Sequence, residues 1–398
     1  MQYCVARRIY QSKEKDSHQS KLGMNGNRLD CPSMNWEMPM DKYWIWLSSV
    51  PEITPEVFDR LIEAFGSAQE VWNAKEPALS RLLSARMRKN LLEVRTREWA
   101  NQLFRELARN DILCITRLDE RYPALLKDIY DPPATLFVRG NPDLDFARAL
   151  AVVGTRRPTH DGARAARELS AAIAAQGVTI VSGLAMGIDA LAQRGALDAG
   201  GRVVAVLPGG PDNILPRENS ALAQDILDSG GSLISERPPG ARIYASSYPA
   251  RNRIISGLCP AALIVEAGHK SGAMITANLA LEQSREVFAV PGSIYSEASK
   301  GTNALIADGA TPVLDEWCVL EPMGWATKPG AKAQAEVPIA LGEEELCVVQ
   351  PLRNEILNTE ELVEITKISW ERLNYLLTTL ELRGIIVKVA GGGYRAIR

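Results

Sequence analysis

Between positions 149 and 292 six short apolar runs recur: "ALAVVGT", "VTIVSG", "RVVAVLPGG", "SLISE", "AALIVEA" and "EVFAVPG". Each is too short for a buried helix, is rich in valine, isoleucine or alanine, and stops at Gly, Ser, Glu or Pro. Continuous apolar runs of this length, separated by helical segments, are what strands of a parallel sheet covered on both faces require. The predicted fold of residues 111–317 is therefore an α/β, Rossmann-like parallel sheet. In such open sheets ligands gather beyond the carboxyl ends of the strands, so the residues that end these runs share one crevice.

The rest of the chain divides around this core. The first 40 residues are polar and carry no apolar signal core, and they read as a disordered leader or an over-long start. Residues 41–110 place apolar side chains at helical spacing, broken by proline and glycine, which predicts a small helical domain of the SAM or helix-hairpin-helix type. Its turn "VPEITPE" lacks the glycine with which such hairpins bring backbone amides to a phosphate. Residues 318–346 are rich in Ala, Pro and Gly and read as a linker. Residues 347–398 give three helical segments and two strands around "AGGGY", the pattern of a winged helix.

Composition narrows the function. With 48 acidic against 45 basic side chains the chain has a net charge of −3, so any grip on a polyanion is local rather than global. The cysteines at 4, 31, 114, 259, 318 and 347 form no C-x-x-C pair, which argues against a disulfide framework or thiolate metal site and points to reduced thiols in a cytoplasmic protein. No apolar run approaches the length of about 18 residues that crosses a membrane. His160 and His269 lack metal-ligand spacing and read as solvated loop residues.

The strand-end loops are built for anions. Arg156 and Arg157 follow the first run, "SGLAMG" with Ser182, Gly183 and Gly187 follows the second, and "KSGAMITA" with Lys270, Ser271, Gly272 and Thr276 opens a helix after the fifth. Glycines admit close backbone approach, helix-start amides and hydroxyls donate to phosphate oxygens, and arginines add charge. Neither G-x-G-x-x-G nor G-x-x-x-x-G-K-[ST] is present, so neither a dinucleotide nor ATP is expected as cofactor. A further stretch, "SSYPARNRIISG", sets Arg251 and Arg253 around Asn252 before an apolar helix. Those arginines either pair with Glu236 or Glu266 at the sheet edge or grip phosphates. The neighbouring "KSG" and "SGLAMG" donors favour phosphate.

Taken in order, "DERYPALLKDIYDPPATLFVRGN", "VVGTRRPTHDG", "IVSGLAMGIDALAQRGAL", "VAVLPGG", "LISERPPG", "YPARNRIISGL", "LIVEAGHKSGAMITANLALEQSREVFAVPG" and "GTNALIADGA" resemble the DNA-processing protein A (DprA, also called Smf) family over residues 115–315. The resemblance implies a protein of transformation and recombination that binds single-stranded DNA, forms a homodimer through its Rossmann-like domain and loads the RecA recombinase. No catalysis is established for the fold in that family. Carried over by residue, the resemblance places Arg156, Gly183, Arg251, Asn252, Arg253, Ser271, Gly272 and Thr276 in the DNA pocket. Where family members show lysine and phenylalanine in K-x-x-F-P-x-R-N-R, this chain has Ala245 and Tyr248, with Arg242 to supply the charge and tyrosine still able to stack on a base. Gln193 and Leu215 also depart from the family pattern.

A second class of function stands beside this one. "VAVLPGG" with a strand-end glutamate also resembles phosphoribohydrolases that cleave nucleotide monophosphates, although "PGGPDN" lacks the Gly-Thr that ends their loop. Asp189, Asp212, Glu236 and Glu266 fall near the crevice, either as acid–base groups or as carboxylates that orient arginines.

Overall fold

The computed structural model describes residues 40–142, 145–328, 342–352, 356–383, 385–389 and 393–396. The leader expected over residues 1–40 lies outside them but for its last residue, as do residues 329–341 of the expected linker and residues 390–392 of the C-terminal turn. The chain divides into two compact units, Met1–Pro312 and Val313–Arg398.

The first unit is organised by a nine-stranded sheet of order β1-β2-β6-β5-β4-β3-β7-β8-β9. All six runs read from the sequence are strands: β3 (Ala149–Val153), β4 (Thr179–Ser182), β5 (Val203–Val206), β6 (Ser232–Ser235), β7 (Ala261–Ile264) and β8 (Glu286–Ala289). They run parallel, with Leu150 opposite both Ile180 and Ala261 and with Ala205 opposite Leu233. The parallel reading needs one correction, because β1 (Ile112–Thr116) and β2 (Thr135–Gly140) extend the sheet antiparallel, with Phe137 against Ser235. A two-residue β9 (Thr311–Pro312) closes the other edge in parallel.

The apolar runs are continuous because neither face of the sheet's centre meets water: every residue of β3, β4, β5 and β7 is buried. Helices His160–Ala174, Ile188–Asp198 and Ser220–Asp228 pack side by side, and Ser247–Leu258 packs against Gly272–Glu282. The right-handed crossover rule puts the first three on one face of the sheet and Gly272–Glu282 on the other. From β3 the chain winds outward through β4, β5 and β6, then returns to β7 on the opposite side of β3. The β3/β7 boundary is thus the topological switch point, where an open α/β sheet leaves a crevice.

The N-terminal helices form by local rules. Thr54, Ser67, Ser84 and Thr96 each accept a backbone N–H in the first turn of the helix that follows, Pro55 opens one of these helices, and Gly66, at φ 83°, ends it in the left-handed region. Their core is aromatic, with Trp46, Phe58, Leu61 and Leu91 fully buried and Trp46 edge-on to Trp72. Ala134, just before β2, belongs to the same cluster, and its carbonyl accepts from Trp44 Nε1 at 2.8 Å. Arg117 pairs with Asp59 and lies over the rings of Trp44 and Phe58. These helices and the β1–β2 edge are therefore one packed body.

In the second unit, part of the span read as linker is helical: Trp317–Leu320 forms a short helix with Val319 and Leu320 buried. Helices Glu343–Leu352, Thr359–Thr366 and Trp370–Leu382 and the antiparallel pair β10 (Ile386–Lys388) and β11 (Tyr394–Ala396) enclose Val348, Leu352, Leu362, Leu373, Leu377 and Ile386. Asn358 and Glu361 form a reciprocal capping box at the start of the middle helix. Arg372 and Arg383 pair with Glu344 and Glu345.

Candidate nucleic-acid interface

Three loops and one helix start meet at the switch point. After β3 comes Gly154–Thr159, after β4 Gly183–Gly187, and after β7 Val265–Ser271; the start of helix Ser247–Leu258 lies among them. Gly187 shows why they fit closely. At φ 82° it adopts a conformation that disfavours side chains, and a Cβ would overlap the carbonyl of Thr155 and the backbone of Arg156. The Ile188 amide donates to Thr155 O at 3.1 Å and joins the first two loops directly.

The two arginines of the fork are not solvent-facing. Arg251 is 6% exposed, and its Nη1 donates to the carbonyls of Gly183 and Val206, each at 2.5 Å. Its Nε donates to Asn252 Oδ1 at 3.1 Å, and the Asn252 amide reaches 3.5 Å from Gly272 O. Gly183 must be glycine, since a Cβ there would overlap the Arg251 guanidinium. Asp189 lies near, 6% exposed, and accepts from Gly183 N at 3.1 Å. Burial pushes the Asp189 carboxyl up and the Arg251 guanidinium down, and the charge of each offsets the shift of the other.

Arg253 is held by two carboxylates: Nη2 lies 2.6 Å from Glu236 Oε1 and Nε 2.8 Å from Asp131 Oδ2. Its Nη1 donates to Ala250 O at 2.8 Å. Burial alone lowers its pKa, but the two carboxylates more than restore it and the net shift is upward. Between the two readings of the fork, the structure gives Arg253 the ion pair with Glu236 and adds Asp131. Asp131 escaped the sequence analysis because "DIYDPPA" carries no pattern that separates it from surface acid.

The remaining expected residues sort by exposure. Arg156, Arg157, Arg242, Lys270 and Gly272 are exposed, and Gly187, Tyr248, Asn252 and Ser271 are half-buried. Ser182, Gly183 and Thr276 are buried with Arg251 and Arg253, and Ser182 Oγ donates to Val152 O at 2.6 Å. All five lie beneath the loop surface, with Arg251 and Arg253 each keeping 6% exposure. Arg156 sets its guanidinium 5.2 Å from the centre of the Tyr248 ring. Ser271 caps helix Gly272–Glu282, accepting from Ala273 N at 3.3 Å, next to exposed Lys270. What faces solvent is thus a set of cations, one aromatic ring and a capped helix start, an arrangement able to hold phosphates and stack a base.

The four crevice carboxylates all have internal duties. Glu236 pairs with Arg253, Asp189 accepts from Gly183, Asp212 accepts from Gly240 N at 3.0 Å, and Glu266 accepts from the amide and hydroxyl of Thr159 at 2.8 and 2.6 Å. His160 and His269 are exposed, and among the described residues no group of His, Cys, Asp and Glu is placed to share a metal. Among the described residues no helix is long and apolar enough to cross a membrane.

The fold and this crevice define an α/β protein with cationic loops gathered at the switch point of a doubly wound sheet. The sequence profile of DNA recombination-mediator protein A matches residues 113–323, and the chain belongs to that family, which includes the DprA and Smf proteins. Protein Smf of Synechocystis is 37% identical over 288 residues, 71% of this chain and 72% of that protein. DNA processing protein DprA of Bacillus subtilis is 45% identical over 195 residues, 49% of this chain and 65% of that protein. The crystal structure of DNA processing protein A from Streptococcus pneumoniae matches with a TM-score of 0.59 at 32% identity, covering 71% of this chain and 98% of that one.

Proposed function

We propose that this chain binds single-stranded DNA across the switch-point loops, acts as a homodimer in the cytoplasm, and delivers the strand to the RecA recombinase in transformation and recombination. The observation that carries this reading is the pairing of exposed Arg156 with Tyr248 beside Arg157, Lys270 and the capped start of helix Gly272–Glu282. A guanidinium, an ammonium and helix amides suit successive phosphates, and a tyrosine ring suits an unpaired base whose face a duplex would hide. Arg251 and Arg253 serve from below by fixing the loops, and Asn252 braces the third. Residues 111–317 form the binding domain in this reading, with 41–110 and 347–398 as accessory domains.

The protein transfers the strand without chemistry of its own. A phosphoribohydrolase needs a carboxylate free to reach the ribose, and Glu236, Glu266 and Asp189 are already paired within the fold, while exposed Asp212 holds the Gly240 amide.

The test is fluorescence anisotropy with a labelled oligo-dT, a mixed single strand and the matching duplex over a salt series. The expected result is tighter binding of both single strands than of the duplex, weakening linearly in log–log with salt. Equal affinity for the duplex, or no binding of the single strand at low salt, overturns the proposal. RecA filament assembly on the same strand should then accelerate when the protein is added.

A further inference from the structure

Glu266, at the end of β7, touches the loop that carries Arg156 and Arg157 at both of its ends. Its main-chain carbonyl accepts from Thr155 N at 2.7 Å. Its carboxylate accepts from Thr159 N at 2.8 Å and Thr159 Oγ1 at 2.6 Å. Thr159 in turn caps helix His160–Ala174, its hydroxyl accepting from Gly162 N at 3.1 Å. The Glu266 carboxylate fills the space where a Cβ of Gly162 would stand, so it lies over the first turn of that helix, and the residue is 5% exposed. A helix start favours an anion. Here the anion is part of the protein.

We infer that Glu266 is the positioning residue for Arg156 and Arg157: it acts as an internal anion that seals the start of helix His160–Ala174 and clamps residues 155 and 159, so that the arginines between them project to the strand. The inference rests on the single-strand reading and deepens it. Phosphates are then held at this loop by side chains and not by the amides of that helix. In Glu266→Gln the side chain loses its charge, and the bond to the Thr159 hydroxyl persists only by reversing, with the new amide donating to Oγ1, while size is kept. Thr159→Val removes the hydroxyl partner, whereas Thr159→Ser keeps it.

Two measurements test this on the full chain. Hydrogen–deuterium exchange of peptides covering 154–163 reads the loop without DNA, and anisotropy with labelled oligo-dT over a salt series reads its function. Glu266→Gln and Thr159→Val should both speed exchange in that segment, weaken single-strand binding by roughly tenfold, and make the log–log salt slope shallower by about 0.7 for one lost phosphate contact. Thr159→Ser should behave as the wild type, and the double variant should be no worse than the worse single variant, because the two groups act through one contact. A purely structural Glu266 would lower thermal stability and leave the salt slope of the folded protein unchanged, and that result overturns the inference. Tighter binding by Glu266→Gln also overturns it, since the carboxylate would then compete with phosphate. If Glu266→Gln does not fold, Thr159→Val carries the same test. A wild-type protein that binds no single strand sinks the proposed function, while the exchange arm still decides whether Glu266 holds the loop.

Discussion

The guanidinium of Arg253 lies 2.6 Å from Glu236 at the end of β6, and the same side chain reaches Asp131 at 2.8 Å in the segment before β2. One arginine thus ties helix Ser247–Leu258 to the strand edge beneath the cationic loops. Its side chain is 7% exposed and that of Glu236 14%. A charge pair this far from water is costly to break, because the surviving partner stays buried and uncompensated.

Arg253→Ala should therefore act on stability first. Removing the cation leaves Glu236 buried without its partner, a loss on the order of 3 kcal/mol in urea denaturation, to which the solvent-screened Asp131 adds little. Replacing Arg253 with lysine should recover only part of it, since one ammonium does not reproduce the fork that serves both carboxylates and the Ala250 carbonyl. An Arg253→Ala protein with wild-type unfolding would contradict this account of the fork.

Gly183 makes an independent check on the neighbouring brace. Arg251 holds the carbonyls of Gly183 and Val206, and a methyl group at 183 occupies the space of its guanidinium. Gly183→Ala should cost about 1 to 3 kcal/mol by overpacking. It should also loosen the loop after β4, read as faster amide exchange over residues 183–187. Wild-type stability in this variant would show that Arg251 moves aside freely.

The sheet was legible in the sequence because burial on both faces demands uninterrupted apolar runs, and "VVAV" or "AALI" has few other uses in a soluble chain. Strand direction was not. "TLFVRG" carries no mark of running against the other strands, which its pairing with β6 decides, and "ILCIT" pairs only with β2. The same limit governed the site. Arg156 and Arg253 look alike as letters, yet the first is exposed and the second is paired with a carboxylate distant in sequence. Thr276 and Ser182 read as phosphate donors, and both turn into the core, where the packing of helix Gly272–Glu282 and strand β4 places them. Local chemistry singled out the loops; tertiary partners decided which side chains in them meet solvent.

Thiol chemistry follows from burial. Burial pushes the Cys114 thiol up to about 12 and the Cys259 thiol above the ordinary range, whereas Cys347 is exposed. The thiolate is the nucleophile, and at pH 8 its fraction at Cys114 is below about one part in a thousand. Iodoacetamide at pH 8, read by peptide mass mapping, should modify Cys347 quickly and spare Cys114 and Cys259 until the protein is denatured. Accessible surface leaves Cys114 half-buried, so it should be the first of the protected pair to react as pH rises. Equal rates at Cys259 and Cys347 would contradict the buried placement.

The pair Arg156 and Tyr248 allows charge and stacking to be separated. The guanidinium lies 5.2 Å from the ring centre, so one side chain offers a phosphate its charge while the other offers a base its face. Arg156→Ala should weaken single-strand binding by roughly tenfold, about 1.4 kcal/mol. It should make the log–log salt slope shallower by about 0.7, as one phosphate contact on a single strand is lost. Tyr248→Ala should cost about 1 to 3 kcal/mol of affinity through lost stacking, yet leave the salt slope unchanged because no charge is removed. Tyr248→Phe should bind nearly as the wild type, since the ring is kept. Arg156 is exposed and Tyr248 half-buried, so the Arg156 variant should unfold within about 0.5 kcal/mol of the wild type. Both losses should be alike for oligo-dT and mixed sequence, because neither a phosphate nor a ring face distinguishes bases strongly. If Tyr248→Ala alters the salt slope as much as Arg156→Ala does, the two residues do not divide the strand between charge and stacking. If neither variant weakens binding, the switch-point loops are not where the strand lies.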